Sequence, residues 1–436
     1  MQYIKQVTSC GSIRGRDYGE YLEYRSIQYA TSERWKYPVL ITSWDDICDA
    51  TEYKDCSYQR RSFEDDAVCN EFYHKEFREN LSFTYSENSL YLNIWSPKAP
   101  MHCPVIVYIH GGSFTGGSSN EAHINGIEFA KAGIIFVSFN YRLGPFGFCS
   151  HPDLTDEEGI CGNYGLFDQY AAIQWIRNNI QSFGGNPKQI TLMGQSAGAM
   201  STDIHSTSPL ENGWFAGIVM SSGAALQRFL LRPRTPKQTM HFWKVVMANA
   251  RVSTMEELRQ TDPKTLYYAW YQACKDVKFS LPCTLPVYDG KLLRKENFRK
   301  RELADIPCLL GMTSGDMMPG ILRRLIRKWI MLSEQNNQSP CYSYLFSRRL
   351  PGDAKGAWHS SDLLYFFSAL KKNWRPYEEI DYQISEQMSH ALIAFSSAGN
   401  PNCNELPKWE PGSKHTMNFC EHTSQTAWYT TRRNQI

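Results

Sequence analysis

Several signals are missing from this sequence, and each absence removes a class of protein. No two cysteines stand in a C-x-x-C arrangement, so the thirteen present, from Cys10 to Cys420, offer no metal-knuckle spacing. No uncharged apolar run approaches the ~18 residues of a membrane-spanning helix. The opening MQYIKQVTSCGSIRG lacks the basic-then-apolar order of a secretory leader. Neither sign of charge dominates: 46 Lys+Arg stand against 44 Asp+Glu, and a net charge of +2 gives little bulk attraction for nucleic acid or an anionic membrane. Neither G-x-x-x-x-G-K nor G-x-G-x-x-G occurs, so no phosphate cradle is encoded. There is no internal repeat. These absences predict a cytoplasmic protein with free thiols, no metal, no cofactor, no nucleic-acid partner and no membrane association. In that compartment Asn80-Leu81-Ser82 and Asn337-Gln338-Ser339 carry no glycan.

What is present is an ordinary globular composition, 42% hydrophobic and 21% charged, in a chain of 436 residues, enough for about three small domains or one large one. Short β-branched runs at Val105–Ile109, Ile134–Phe139, Ile190–Met193, Gly217–Met220 and Cys308–Gly311 are bounded by turn residues and read as buried parallel strands. Between the second and third, Leu166, Tyr170, Ile173, Ile176 and Ile180 recur at helical spacing before Gly184-Gly185-Asn186-Pro187. The alternation predicts a doubly wound α/β sheet with helices on both faces and a ligand at the strands' carboxyl ends. Tyr377–Ser397 predicts a long terminal helix stopped by Gly399-Asn400-Pro401. Two segments, 226–300 and 320–339, read as helical excursions. The basic stretches Leu322–Ile330 and Arg294–Arg301 read as solvated faces rather than docking surfaces.

Gly194-Gln195-Ser196-Ala197-Gly198 follows the strand Ile190–Met193 and opens the small-residue helix Ala197–Ser206, the strand–turn–helix context of a nucleophile elbow. A serine at such a tip has a strained backbone, so its neighbours must be tiny, and the helix start points N–H groups at a developing oxyanion. His110-Gly111-Gly112-Ser113-Phe114 directly follows the strand Val105–Ile109. Its glycines let backbone N–H groups approach a substrate oxygen, which suits the other half of an oxyanion hole. His110 itself reads as structural.

With these strings in view, the chain resembles the type-B carboxylesterase family of α/β hydrolases, which includes bacterial carboxylesterases and para-nitrobenzyl esterases and, more distantly, cholinesterases. Phe183–Gly198 resembles the family's serine signature and Ser86–Trp95 its second signature. Asn140–Phe148, Gly11–Gly15 and Leu406–Trp409 match further landmarks, so the likeness covers essentially the whole chain.

The resemblance implies one α/β-hydrolase domain over 1–436, a mostly parallel sheet with helices on both faces and the two excursions as a cap over the active site. A serine nucleophile needs a base and an orienting acid, in chain order Ser, acid, His. Of His205, His241, His359, His390, His415 and His422, the resemblance picks His359, in Gly356–Phe367. It picks Asp316 as the acid, where most members carry glutamate, over Asp362 and Asp289. The oxyanion donors it implies are the backbone amides of Gly112, Ser113 and Ala197. The expected activity is hydrolysis of small to medium neutral carboxylic esters with water, by a monomer or homodimer. Amidase, thioesterase or lipase chemistry would use the same triad, and a catalytically silent adhesion relative would typically lack the serine or histidine. Three departures stand out. Gln195 replaces the glutamate before the nucleophile, removing a negative charge that would favour cations. Ser89 replaces a cysteine, so the family's disulfide to an upstream cysteine such as Cys69 cannot form. Between Cys69 and Ser89 there is no tryptophan for a stacked choline site.

Overall fold

A computed structural model describes residues 2–278, 280–298 and 302–428 of the chain. Twelve strands lie along one sheet: β1 (Gln2–Thr8), β2 (Gly11–Asp17), β3 (Tyr21–Gln28), β4 (Tyr91–Pro97), β5 (Cys103–Ile109), β6 (Ile135–Phe139), β7 (Gly185–Gln195), β8 (Gly217–Ser221), β9 (Cys308–Thr313), β10 (Cys341–Phe346), β11 (His415–Phe419) and β12 (Ser424–Ala427). Their order is β1-β2-β3-β4-β6-β5-β7-β8-β9-β10-β11-β12, with Cys48–Asp49 added beside β2. The seven from β6 to β11 are mutually parallel, and the flanking strands are antiparallel. The order of succession reverses at β5, because β6 lies on one side of it and β7 on the other. That is where an α/β sheet opens a crevice at its carboxyl edge.

The predicted strands are read as near-continuous apolar runs because both faces are covered. Val105, Val107, Leu192, Ile218 and Leu310 enter one core cluster, while Ile106, Tyr108, Met193, Val219 and Leu309 enter another. Helices α1 (Tyr164–Asn179) and α2 (Ala197–Ser206) feed the first cluster, and the terminal helix Glu379–Ala398 feeds the second through Ile384, Met388, Leu392 and Phe395. Gly399 stops the terminal helix in the left-handed region, at φ 68°.

Segment 226–300, whose last two residues lie outside the described ones, holds α3 (Pro236–Ala250), α4 (Met255–Gln260) and α5 (Pro263–Asp276). Thr254 and Asp262 cap α4 and α5 through their side chains, and proline opens α3 and α5. Their apolar faces form a third cluster with Trp35 and Phe146. Segment 320–339 differs from the cap expected of it. Its helix α6 (Pro319–Gln335) joins the parallel neighbours β9 and β10 and buries Leu322, Ile326, Trp329 and Ile330 in the sheet's first cluster, as a crossover helix does. Arg324 and Lys328 are exposed on its other side, the solvated face its basic residues predicted. The stretch Arg294–Arg301 lies partly outside the described residues. Among those described, no helix is long and apolar enough to cross a membrane.

Candidate active site

The elbow has the backbone its sequence demanded. Ser196 sits between β7 and α2 at φ 54°, ψ −120°, a conformation that costs on the order of 1–3 kcal/mol for a residue with a side chain. The glycines around it are steric necessities: a Cβ on Gly194 would stand 2.1 Å from the Gly198 carbonyl oxygen, and one on Gly198 would stand 2.0 Å from that of Ile109. The tip is held by the Ser196 amide donating to Ser221 O at 2.8 Å, from the end of the neighbouring strand β8.

The loop after β5 lies directly against the serine, since a Cβ on Gly111 would approach the Ser196 Cβ to 3.1 Å. Gly112 adopts φ 108°, and a Cβ there would meet Gly116 O at 2.2 Å. Ser113 and Phe114 follow at φ 58° and 61°. The turn closes with Thr115 N and Gly116 N donating to Gly112 O at 2.9 and 3.0 Å, while the Gly117 amide donates to Gln59 Oε1 at 3.0 Å.

Asp316 and His359 come from loops that the sheet brings together. The Gly315 amide donates to Ala357 O at 2.9 Å and the Ser314 amide to Phe346 O at 2.8 Å, which ties the loop after β9 to the loop after β10. His359 Nδ1 then donates to Asp316 Oδ1. The other carboxylate oxygen accepts from Ser222 Oγ and the Thr313 amide, each at 2.9 Å. Tyr73 OH donates to His359 O at 3.3 Å, and Ser360 follows at φ 80°. His359 Nε2 accepts from the Gln195 side-chain amide at 3.3 Å. The fold thus brings Asp316 onto His359, and His359 and Ser196 onto one cavity, from residues 120 and 43 apart in the chain.

The rivals sit elsewhere. Asp362 is fully buried and accepts from Ser221 Oγ at 2.6 Å and Tyr344 OH at 2.7 Å; burial raises its pKa. Asp289 binds Asn163 Nδ2 at 2.6 Å and the amides of 291–293, holding a turn. His205 is locked between Glu211 and Gln169, and His241, His415 and His422 are exposed. His390 faces Glu405 at 3.2 Å on the terminal helix. His110 stacks on Tyr141, and burial depresses its pKa to about 4, so it is a neutral buried ring at neutral pH.

A cavity of about 480 Å³ opens over Ser196 and His359. Aromatic side chains from α5 (Tyr267, Trp270, Tyr271) and from the short helix Glu71–Phe77 (Tyr73, Phe77) line it, together with Arg60, Arg61, Arg78, Asp66 and Glu121. The sequence did not announce several of these contributors. Ser222 could have been found only from its place one residue beyond β8, the strand beside the nucleophile's own. Ser89 faces the Ser57 hydroxyl at 2.8 Å, so two hydroxyls meet where a cysteine such as Cys69 was the expected counterpart; Cys69 lines the cavity instead. The thirteen cysteines are free thiols. Among the described residues no group of three or more His, Cys, Asp or Glu could hold a metal ion.

Comparison with known proteins agrees with this architecture. The carboxylesterase family model matches residues 4–328 and 322–435. Over 316 residues the chain is 31% identical to fumonisin B1 esterase of Sphingopyxis macrogoltabida, covering 70% of this chain and 54% of that protein. Over 331 residues it is 30% identical to para-nitrobenzyl esterase of Bacillus subtilis strain 168, covering 70% of this chain and 61% of that one. These matches span between half and two thirds of the relatives' own length. Among solved structures, an esterase from Clostridium hathewayi, described as able to hydrolyse aliphatic aromatic polyesters, superposes with a TM-score of 0.83 at 22% identity, over 98% of this chain and 97% of that one. With the α/β-hydrolase sheet, the elbow and the family match in agreement, the chain belongs to the carboxylesterase family.

Proposed function

We propose that this chain is a serine esterase that hydrolyses small to medium carboxylic esters through an acyl-enzyme on Ser196. The observation that carries the reading is a strained elbow serine and a histidine on one cavity, the histidine held by a buried carboxylate behind it, in the chain order of an α/β hydrolase. Ser196 Oγ attacks the ester carbonyl while His359 Nε2 takes its proton and later gives it to the leaving alcohol. For that transfer the Gln195 amide has to give up its own contact with Nε2, which has a single lone pair. Asp316 accepts a hydrogen bond from Nδ1–H, fixing the tautomer with Nε2 bare, and stabilises the imidazolium. The amides of Gly112, Ser113 and Ala197 receive the oxyanion, the first two in a positive-φ loop that lies against Ser196 at Gly111. Water activated by His359 then releases the acid. The whole chain acts as one domain in this scheme, because its triad is drawn from three separate strand ends, and α5 of the cap lines the cavity.

The test is turnover of para-nitrophenyl esters of increasing acyl length by wild type and Ser196→Ala. The expected result is an optimum at short to medium chains for wild type and loss of turnover in the variant. Equal rates would refute the assignment.

A further inference from the structure

The 3₁₀ turn Arg60–Ser62, between β3 and β4, brings an unusual side chain to the cavity. Arg61 lines it, yet the side chain is only 4% exposed. Its Nη1 donates to Glu121 Oε1 at 2.8 Å, and its flat face lies 4.8 Å from the Phe83 ring. Nε and Nη2, both buried, find no acceptor among the described residues. Those two nitrogens form the edge of the guanidinium whose parallel N–H groups match a carboxylate. At four other arginines that edge is filled by a carboxylate, whereas Arg61 has both of its edge nitrogens without an acceptor among the described residues. Arg78 presents it to Asp66 at 2.6 and 3.1 Å, Arg142 to Asp168 at 2.8 and 2.7 Å, Arg348 to Asp381 at 2.8 and 3.1 Å, and Arg375 to Glu76 at 3.1 and 2.7 Å. Buried guanidinium donors without acceptors are costly, and their neighbours are committed: Glu121 is shared with Arg78 at 3.4 Å, and Arg60 turns to Glu64 at 2.8 Å. Of the other groups that face it, the Asp66 carboxylate is taken by Arg78 and His74, burial keeps Tyr85 and the Cys56 thiol neutral by raising their pKa values, and the buried His110 and His123 carry no negative charge.

We propose that Arg61 is a specificity-determining residue that binds a carboxylate on the substrate, so that the preferred substrates are esters carrying a second, free carboxylate. This rests on the serine-esterase reading above and refines its substrate class. The near-zero net charge of the chain governs only long-range attraction, whereas the Arg61 guanidinium acts at short range in the cavity wall, where a substrate carboxylate has to part the packing over Nε and Nη2 to reach them. The carboxylate belongs either to the acyl part, as in a half-ester of a dicarboxylic acid, or to the alcohol part.

The experiment uses two matched pairs. Para-nitrophenyl hemisuccinate and para-nitrophenyl butyrate differ on the acyl side, and 4-acetoxybenzoate and 4-acetoxybenzamide differ on the alcohol side. The readout is the ratio of kcat/KM for the charged ester to that for its neutral partner, in wild type, Arg61→Gln and Arg61→Lys. In at least one pair the ratio should fall about 30-fold in Arg61→Gln, mainly through KM, which corresponds to about 2 kcal/mol. Arg61→Lys should recover part of it, since it keeps the charge and loses the fork. The pair that responds identifies the side bearing the carboxylate. Ratios in both pairs that stay within threefold of wild type would overturn the proposal. If Arg61→Gln does not fold, inhibition of wild-type butyrate hydrolysis by succinate and succinamide decides: succinate must inhibit at least tenfold more strongly, and equal inhibition overturns the proposal. Turnover of both esters by Ser196→Ala at the wild-type rate would instead mean that the serine reading has failed, whatever the ratio.

Discussion

Replacing Asp316 by asparagine separates its role from that of Asp362 more sharply than any other single change. Asp316 accepts three hydrogen bonds, from His359 Nδ1 on one oxygen and from Ser222 Oγ and the Thr313 amide on the other. Asparagine retains one acceptor and brings an –NH₂ donor. The Thr313 N–H is part of the backbone and cannot turn away, so the amide oxygen must stay on it, and the –NH₂ then faces the imidazole. His359 is forced to carry its proton on Nε2, the atom that must receive the serine proton. A wrong tautomer of this kind costs about 10⁴ in kcat in serine triads, or about 5 kcal/mol. Asp362→Asn meets a different environment. Its two partners, Ser221 Oγ and Tyr344 OH, are hydroxyl donors that an amide oxygen still receives, and Oδ1 has no partner among the described residues. Burial already disfavours the charge, raising the pKa of Asp362, so a neutral amide there should leave kcat/KM within about threefold, while its –NH₂, which meets no acceptor among the described residues, should lower thermal stability. Stopped-flow release of para-nitrophenol reads the chemical step, and near-UV circular dichroism checks that both variants fold. A larger loss in Asp362→Asn than in Asp316→Asn, or retention of more than a tenth of the activity by Asp316→Asn, would refute the reasoning.

Three further changes test other parts of the site. Gly112→Ala places a Cβ 2.2 Å from Gly116 O at φ 108°; the oxyanion loop must move, and kcat should fall about 100-fold or more, by about 3 kcal/mol, with KM little altered, so an unchanged kcat would place the oxyanion donors elsewhere. Burial lowers the pKa of both His110 and His123 to about 4. The unfolded chain therefore binds more protons than the native one between about pH 6.5 and 4, and stability fully present above that window is lost on acidification, by on the order of 3 kcal/mol per histidine. Urea midpoints from pH 7 to 4 should show this fall, and His123→Gln should flatten it; an identical slope in the variant would refute the assignment. Gln195→Glu sets a carboxylate beside His359 Nε2 and favours the imidazolium, so the acid limb of the kcat/KM profile should rise by about 1 pH unit or more. An unmoved limb would mean that residue 195 does not contact the base in the working enzyme.

The parts of the fold that could be read from sequence are those where burial is complete on both faces. β5, β7, β8 and β9 show as continuous apolar runs because alternate residues enter separate core clusters. β10, Cys341-Tyr342-Ser343-Tyr344-Leu345-Phe346, is as deeply buried but escaped notice, because Ser343 is satisfied by donating to His415 O at 2.9 Å across the sheet rather than by being apolar. The antiparallel β1 to β3 were equally silent. Their outer strand is mostly exposed, and its three apolar residues, Tyr3, Ile4 and Val7, do not alternate, so pairing with β2 over seven positions leaves no period-2 hydrophobic trace. The crossover role of α6 depends on β10 being recognised, and without that strand its basic face was the only visible feature.

The site divides along the same line between local and long-range causes. The elbow was legible because its requirement is local: Gly194 and Gly198 must lack a Cβ within four residues of each other, and any strand–turn–helix with a serine at that tip needs them. Asp316 and His359 needed the resemblance, since nothing in either loop's own residues says that Gly315 will bond to Ala357. Arg61 was invisible for a sharper reason. Beside Arg60 it reads as surface charge, and only the fold shows that one of the two turns outward to Glu64 while the other is buried against Glu121, sixty residues later. Burial converts a side chain of low information into one with a definite geometric demand, because a guanidinium out of water must have its N–H groups matched. Substrate class is therefore written less in the nucleophile, which serves many esters alike, than in polar groups that the cavity wall leaves to be matched by whatever binds there.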